Sequence, residues 1–143
     1  MMKLYFSPGA CSLSPHIVAI EAGIPLTLVK VDTKTKTVSR DGDFWEINPK
    51  GYVPALELDD GQVLTEGPAI VQYLADSAPA AGLAPANGSF ERVRLQETLN
   101  YLTSEIHKAY SPLFSDDVLP AVREERLEYL ERRYALIEKQ LEG

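Results

Sequence analysis

The fold is decided by residues 3–32, KLYFSPGACSLSPHIVAIEAGIPLTLVKVD. The first five, KLYFS, form an apolar run typical of a strand, which the Pro8-Gly9 turn ends. Helical spacing follows over 15–23, with a proline in the first turn and a glycine at the end. The alternating run LTLVKVD at 26–32 predicts a second strand. A strand, a helix and a strand within about 30 residues predict a right-handed parallel crossover.

Further elements extend this unit. The polar stretch 33–50 predicts an irregular loop with one short helix around 44–47. Two alternating runs joined by Asp59-Asp60-Gly61 predict an antiparallel hairpin. A helix is predicted to follow, with Thr65 as its N-cap. The order β-α-β-α-β-β-α predicts a thioredoxin-like α/β domain over 1–77.

The remainder of the chain has a different character. Residues 78–88, APAAGLAPANG, have the composition of a linker. Over 89–143, apolar side chains recur at steps of four and three, which predicts two amphipathic helices, at 89–114 and 117–142. Each apolar stripe needs more cover than one partner helix supplies, so we expect the first two helices of an all-α domain that is incomplete at Gly143.

Length and charge exclude several classes of function. The 143 residues suit one domain, or one small domain and part of another. With 21 acidic and 14 basic side chains the net charge is -7, which argues against a nucleic-acid partner. No apolar run reaches the roughly 18 residues that span a bilayer, so we expect no membrane partner and a cytoplasmic location. One cysteine and no zinc-type spacing predict a reducing compartment and no metal.

The lone Cys11 lies in the turn before the first predicted helix. Free backbone N–H groups and the helix macrodipole favour a thiolate there. The sequence Cys11-Ser12-Leu13-Ser14 is a C-x-x-S form of the redox pair that thioredoxin-like folds carry at this place, so a partner thiol must be a separate small molecule. The alternative is a small side chain that packs against the sheet.

Two further segments could bind an extended, charged molecule. Val53-Pro54 precedes a predicted strand, where a cis bond would turn the backbone of Val53 outward to pair with a peptide; the alternative is a plain strand-start proline. At Glu66-Gly67 a helix begins, so its N-terminus could hold an anion while the carboxylate holds an ammonium group. Together these would recognise an α-amino acid end, and the alternative is ordinary capping.

Polar residues also recur on the first C-terminal helix. Asn100, Ser104 and His107 stand at i, i+4 and i+7, which is one face of an α-helix. Such a face could line a cleft. The alternative is a structural or solvated histidine beside the core stripe.

Four stretches carry a resemblance to a known family: KLYFSPGACSLSPH, INPKGYVPALELDDGQVLTEGPAIVQYLAD, LAPANGSFER and LNYLTSEIHKAYSPLF. The chain resembles the cytosolic glutathione transferases, and within them the bacterial beta class, through nearly all of its length. The resemblance implies a homodimer with glutathione as co-substrate and no metal. It implies transfer of the glutathione thiolate to small electrophiles in detoxification, with thiol-disulfide exchange through Cys11. The alternatives are a glutaredoxin-like disulfide reductase and a non-catalytic binding or dimerisation module.

The resemblance also implies roles for residues of the first domain. Cys11 matches the cysteine that contacts the glutathione sulfur. Val53, before the cis Pro54, matches the residue that pairs with the cysteinyl backbone, and Lys36 matches the lysine that reaches the glycine carboxylate. Position 6 is Phe6 where many relatives have tyrosine, so no strand hydroxyl at that position can activate the thiol.

Other roles follow by position in the same way. Glu66 and Gly67 match the γ-glutamyl site, where several relatives have serine at the second place. His107 matches a helix histidine near the sulfur, and Asn100 and Ser104 match polar residues near the γ-glutamyl and thiol ends, some reached across the dimer. Members of the family continue for about 60 more residues, including a central helix with an N-capping box.

Overall fold

The computed structural model describes residues 1–38 and 42–142. Residues 39–41, in the predicted loop, and Gly143, the last residue of the predicted helical region, lie outside the described residues. Contacts divide the chain into two units, Met1–Ser89 and Phe90–Gly143. Within the described ranges, no helix has the length and apolar character needed to cross a membrane.

The first unit is built on a six-stranded sheet in the order β4-β3-β2-β1-β5-β6. Its strands are β1 Lys3–Phe6, β2 Thr27–Asp32, β3 Thr37–Val38, β4 Gly42–Asp43, β5 Ala55–Glu57 and β6 Val63–Thr65. Strand β1 pairs in parallel with β2 and antiparallel with β5, and β5 pairs antiparallel with β6. The predicted parallel crossover and hairpin are therefore confirmed, and with them the thioredoxin-like α/β fold.

Helices cover both faces of this sheet. They are α1 Leu13–Glu21, α2 Phe44–Ile47, α3 Gly67–Ser77 and a 3₁₀ turn, Pro79–Ala81. Because successive strand residues point to opposite faces, Leu4 packs with residues of α1 and α3 while Tyr5 packs with Phe44 of α2. The short helix around 44–47 is confirmed, and Asp43 is its N-cap, whose carboxylate accepts from the Trp45 N–H.

Three details of the first unit differ from the sequence expectations. The loop at 33–50 contains β3 and β4, two-residue strands that are too short to show an alternating pattern. Thr65 is the last residue of β6, since it pairs with Ala55, and Glu66 takes the N-cap position of α3. The stretch 78–88 lies within the first unit and includes the 3₁₀ turn.

The second unit contains α4 Phe90–Tyr101, a π turn Leu102–Ile106, a 3₁₀ helix His107–Phe114 and α5 Pro120–Leu141. The helix predicted over 89–114 is present, and it begins as α4, passes through the π turn and ends as the 3₁₀ helix. The hydroxyls of Thr103 and Ser104 each donate to the carbonyl four residues earlier, at 2.9 Å, a contact that bends helices. The core of this unit centres on Ile106, Ala109 and Leu130.

Candidate active site

The centre of the candidate site is the run of five residues from Lys50 to Pro54, here called the 50–54 segment. Asn48, which is buried, holds it in place. The Asn48 side-chain amide donates to the Tyr52 carbonyl at 2.7 Å, and its oxygen accepts from the Lys50 N–H at 3.1 Å. The Gly51 N–H donates to the Asn48 carbonyl at 2.8 Å. One buried amide therefore fixes the turn that leads into β5.

Gly51 is required by the shape of this turn. Its φ is +69°, and a Cβ at this position would overlap the ring of Trp45. The ammonium of Lys36 donates to the Gly51 carbonyl at 2.6 Å and lies 5.9 Å from the centre of the Trp45 ring. Lys36 itself has a φ of 60°. The predicted lysine is thus joined to the 50–54 segment through a backbone oxygen.

Cys11 is joined to the same segment at its other end. The thiol is exposed and donates to the Val53 carbonyl, with 3.4 Å between sulfur and oxygen. The Val53-Pro54 bond is cis. Next in the chain, the buried Ser12 hydroxyl donates to the Ser7 carbonyl and accepts from the Ser7 N–H, both at 3.2 Å. This serine holds the turn that presents Cys11 before α1.

Glu66 is the third side chain joined to the segment. Its φ is 71°, a left-handed value that is uncommon outside glycine and is often found at functional sites. The Lys50 ammonium lies 2.6 Å from Glu66 Oε1 and 2.9 Å from the Thr65 hydroxyl, and the Tyr52 hydroxyl lies 3.4 Å from the same carboxylate oxygen. The hydrogen bond to Glu66 raises the pKa of Lys50.

Gly67 begins α3 directly after this carboxylate. Nothing lies within 4 Å of the place where a Cβ would stand. The backbone N–H groups of the first helical turn are available to an anion at such a position, where the macrodipole is also favourable. The predicted arrangement, with the Glu66 side chain directly before a helix that begins at Gly67, is therefore found in the structure.

Lys50, Tyr52 and Asn48 are site residues that the sequence interpretation missed. All three lie in INPKGYVP, the start of one of the four stretches that carry the resemblance. Within these eight residues the sequence predicts only Val53 and Pro54 as site residues. The signal that could have found them is the short polar run around Gly51, because a turn before a strand needs side chains that bind its backbone.

The strand beside the thiol offers no ionised hydroxyl. The Tyr5 hydroxyl donates to Glu57 Oε2 at 2.6 Å, and the Lys3 ammonium lies 2.7 Å from Oε1. Burial, with the hydrogen bond to Glu57 as a second cause, raises the pKa of Tyr5 to about 12. The hydrogen bonds from Lys3 and then Tyr5 lower the pKa of Glu57. Tyr5 is consequently a neutral phenol that is engaged with Glu57, and it does not replace the hydroxyl absent at Phe6.

The three remaining predicted residues belong to the second unit. Asn100 is near the end of α4, Ser104 lies in the π turn with its hydroxyl on the Asn100 carbonyl, and His107 begins the 3₁₀ helix. Asn100 and His107 are exposed. The π turn lies between Asn100 and His107, and the shared binding face of these three side chains stays a prediction. In the part of the chain that the structure describes, no three His, Cys, Asp or Glu side chains are grouped as a metal site.

Similar proteins are found over nearly the whole chain. The glutathione S-transferase GstA of Escherichia coli O157:H7 is 48% identical over 136 residues, which make up 90% of this chain and 68% of that protein. A sphingomonad glutathione S-transferase, solved in complex with glutathione, is 47% identical with a TM-score of 0.94 over 99% of this chain and 70% of that one. The beta-class glutathione S-transferase of Sphingomonas chungbukensis is 45% identical with a TM-score of 0.92, covering 97% of this chain and 69% of that structure.

The parallel β1-α1-β2 crossover, the thiol before α1 and the proline that precedes β5 define a thioredoxin-like domain. Residues 9–77 match the family model for the glutathione S-transferase N-terminal domain. The chain belongs to the glutathione transferases, an enzyme family, and within it to the bacterial beta class.

Proposed function

We propose that this protein binds glutathione along the 50–54 segment and transfers its thiolate to small electrophiles. The observation that carries the proposal is that three side chains of suitable chemistry all contact this one segment. Cys11 contacts it through the Val53 carbonyl, Lys36 through the Gly51 carbonyl, and Glu66 through the Lys50 ammonium. Glutathione is a short extended peptide with a thiol between two charged ends, and the three groups supply one contact for the thiol and one opposite charge for each end.

Each end of glutathione has a complementary group. The glycine carboxylate would be held by the Lys36 ammonium, and the γ-glutamyl ammonium by the Glu66 carboxylate. The γ-glutamyl carboxylate would lie at the N-terminus of α3, beside Gly67. The cysteinyl backbone would pair with Val53, as an added strand does at a sheet edge. The glutathione complex of the sphingomonad relative supports this choice of ligand.

Chemistry would take place beside Cys11. In conjugation, the glutathione thiolate attacks an electrophilic carbon, forms a C–S bond and releases a leaving group such as halide. In thiol-disulfide exchange, the Cys11 thiolate attacks glutathione disulfide, forms a mixed disulfide with one half and releases the other as a thiolate. The exposure of Cys11 supports the second reaction, because an incoming disulfide must reach the sulfur.

The second unit would complete the site in a homodimer. We include Asn100, Ser104 and His107 as further binding groups, with His107 favouring ionised sulfur as a second catalytic residue beside Cys11. A cytoplasmic location suits this chemistry, since a reducing compartment reverses the mixed disulfide. Cross-linking and sedimentation of the purified chain test the dimer.

Cys11→Ala separates the two reactions. We expect the variant to retain conjugation of glutathione to an aryl halide and to lose the reduction of a glutathione mixed disulfide. Loss of both activities, with glutathione binding intact, would instead favour a glutaredoxin-like enzyme in which Cys11 is the obligatory nucleophile. Failure of the wild-type chain to bind glutathione at millimolar concentration would leave the non-catalytic binding or dimerisation module as the better description.

A further inference from the structure

The carboxylate of Glu66 already holds an ammonium group that belongs to the protein itself. Lys50 Nζ is 2.6 Å from Glu66 Oε1, and both side chains are about half exposed, at 46% and 48%. The same ammonium is 2.9 Å from the hydroxyl of Thr65, the last residue of β6, which directly precedes Glu66. Lys50 therefore makes the contacts that an ammonium-bearing ligand would make at the start of α3.

Two ammonium groups cannot share this carboxylate without cost. Like charges within a few ångströms repel, and one carboxylate neutralises only one of them. A ligand that needs a site already filled by another group binds with an apparent affinity reduced by the fraction of empty sites. Because the Lys50 side chain is half exposed and the turn is held through backbone groups by Asn48, the ammonium can leave the carboxylate without disturbing the turn.

The backbone keeps Glu66 in place whichever ammonium it holds. Its φ of 71° and its position directly before α3 fix the direction in which its Cα–Cβ bond leaves the backbone. The backbone of Lys50 is held separately, since its N–H donates to Asn48, while its ammonium reaches Glu66 and the Thr65 hydroxyl through a long side chain. The lysine side chain can therefore leave the carboxylate while the Asn48 contact keeps its backbone in place.

We propose that Lys50 occupies the ammonium position of the ligand-free site and competes with the γ-glutamyl ammonium of glutathione for Glu66. This inference rests on the proposed glutathione site and adds to it a residue that sets selectivity. Lys50 lowers the affinity for ligands that carry an α-ammonium. A ligand without that group does not have to displace it.

The test compares glutathione with glutaryl-cysteinylglycine, which lacks only the α-amino group. Dissociation constants for both are measured by titration calorimetry on wild type and on Lys50→Met. We expect the preference for glutathione over the analogue to rise about two- to fivefold in Lys50→Met, the range of one exposed ion pair. Lys50→Arg keeps the competing charge and is expected to keep the wild-type preference.

Lys3→Met is the matched control. It removes an ammonium from a carboxylate of the same unit at nearly the same distance, 2.7 Å, outside the site, and is expected to leave the preference unchanged. An unchanged or reduced preference in Lys50→Met overturns the inference while glutathione binding itself stands. Equal weakening of both ligands would mean that Lys50 attracts their shared carboxylates instead, which also overturns it. Absence of glutathione binding in wild type would overturn the proposed function together with the inference.

Discussion

The first unit contains two groups of the same three residue types in different surroundings. In the sheet trio, Lys3 and Tyr5 of β1 both contact Glu57 of β5. In the site trio, which consists of Lys50, Tyr52 and Glu66, the same types meet at the start of α3. The sheet trio lies on paired strands, where Lys3 is directly opposite Glu57. The site trio lies on a turn and on a residue with positive φ.

The surroundings decide what each trio can do. Strand register places the Lys3 and Glu57 side chains together whether or not they are charged, and the Tyr5 hydroxyl adds a 2.6 Å hydrogen bond from a buried ring. In the site trio, no such register joins the partners, both charged side chains are half exposed, and the tyrosine oxygen is 3.4 Å away. The first arrangement stabilises a fold, and the second can exchange its partner for a ligand.

The largest expected effect is on glutathione affinity, where removal of the Glu66 charge and removal of the Glu57 charge should have different consequences. Glu66→Gln removes the charge that would hold the glutathione ammonium, so we expect the dissociation constant of glutathione to rise about tenfold or more. Glu57→Gln should leave that constant unchanged and lower the urea midpoint instead. Calorimetric titration and urea unfolding of both variants check the pair. Equal losses of affinity would remove the functional distinction between the trios.

Gly51→Ala should disturb the site trio without touching the sheet trio. The added Cβ has to displace the Trp45 ring and adopt a positive φ, so we expect a loss of about 1–3 kcal/mol in unfolding free energy. Gly61→Ala is the control, since its φ is +86° but nothing lies within 4 Å of its Cβ; it should cost only about 1 kcal/mol for the backbone. The fluorescence of Trp45, the single tryptophan, should change in the first variant alone. The same change in Gly61→Ala would contradict the role of the ring.

The sheet trio should make stability fall in alkali. The pKa of Tyr5 is raised from 10.0 to about 12 in the folded protein, so its contribution is complete below the unfolded value and is lost as the pH rises between these two values. We expect Tyr5→Phe to be less stable than wild type near neutral pH. Between these two pH values, its unfolding free energy should fall by about 1–2 kcal/mol less than that of wild type. Urea unfolding of both proteins across that range gives the slopes. Parallel slopes would show that Tyr5 is not protected in the fold.

The difference between the trios also explains how far the sequence could predict this molecule. The periodicity of β1, α1 and β2 and the Asp-Asp-Gly turn are local signals, so the four longer strands of the sheet could be predicted together with the thiol before α1. The contact between Lys50 and Glu66 joins residues 16 positions apart and depends on how the turn enters β5, which no local pattern encodes. In the second unit the apolar spacing predicts the helix but not its change of type after Tyr101, where the Thr103 and Ser104 hydroxyls bond backbone carbonyls while the apolar spacing continues.

The smallest expected effect is the acid sensitivity of the sheet trio. The pKa of Glu57 lies below its ordinary value of 4.5, chiefly because of the hydrogen bond from Lys3 and then that from Tyr5. A lowered pKa means that the stabilisation is complete above the unfolded value and is lost as the pH falls through the folded one. Between about pH 6 and about pH 3, wild type should therefore lose up to about 1 kcal/mol more than Glu57→Gln in urea unfolding. Lys3→Met should show a smaller acid loss than wild type, since the main cause of the lowered pKa is gone. If wild type and Glu57→Gln lose the same stability in acid, Lys3 and Tyr5 do not stabilise the ionised Glu57 carboxylate. The sheet trio would then contribute no more to the fold than the exposed site trio does.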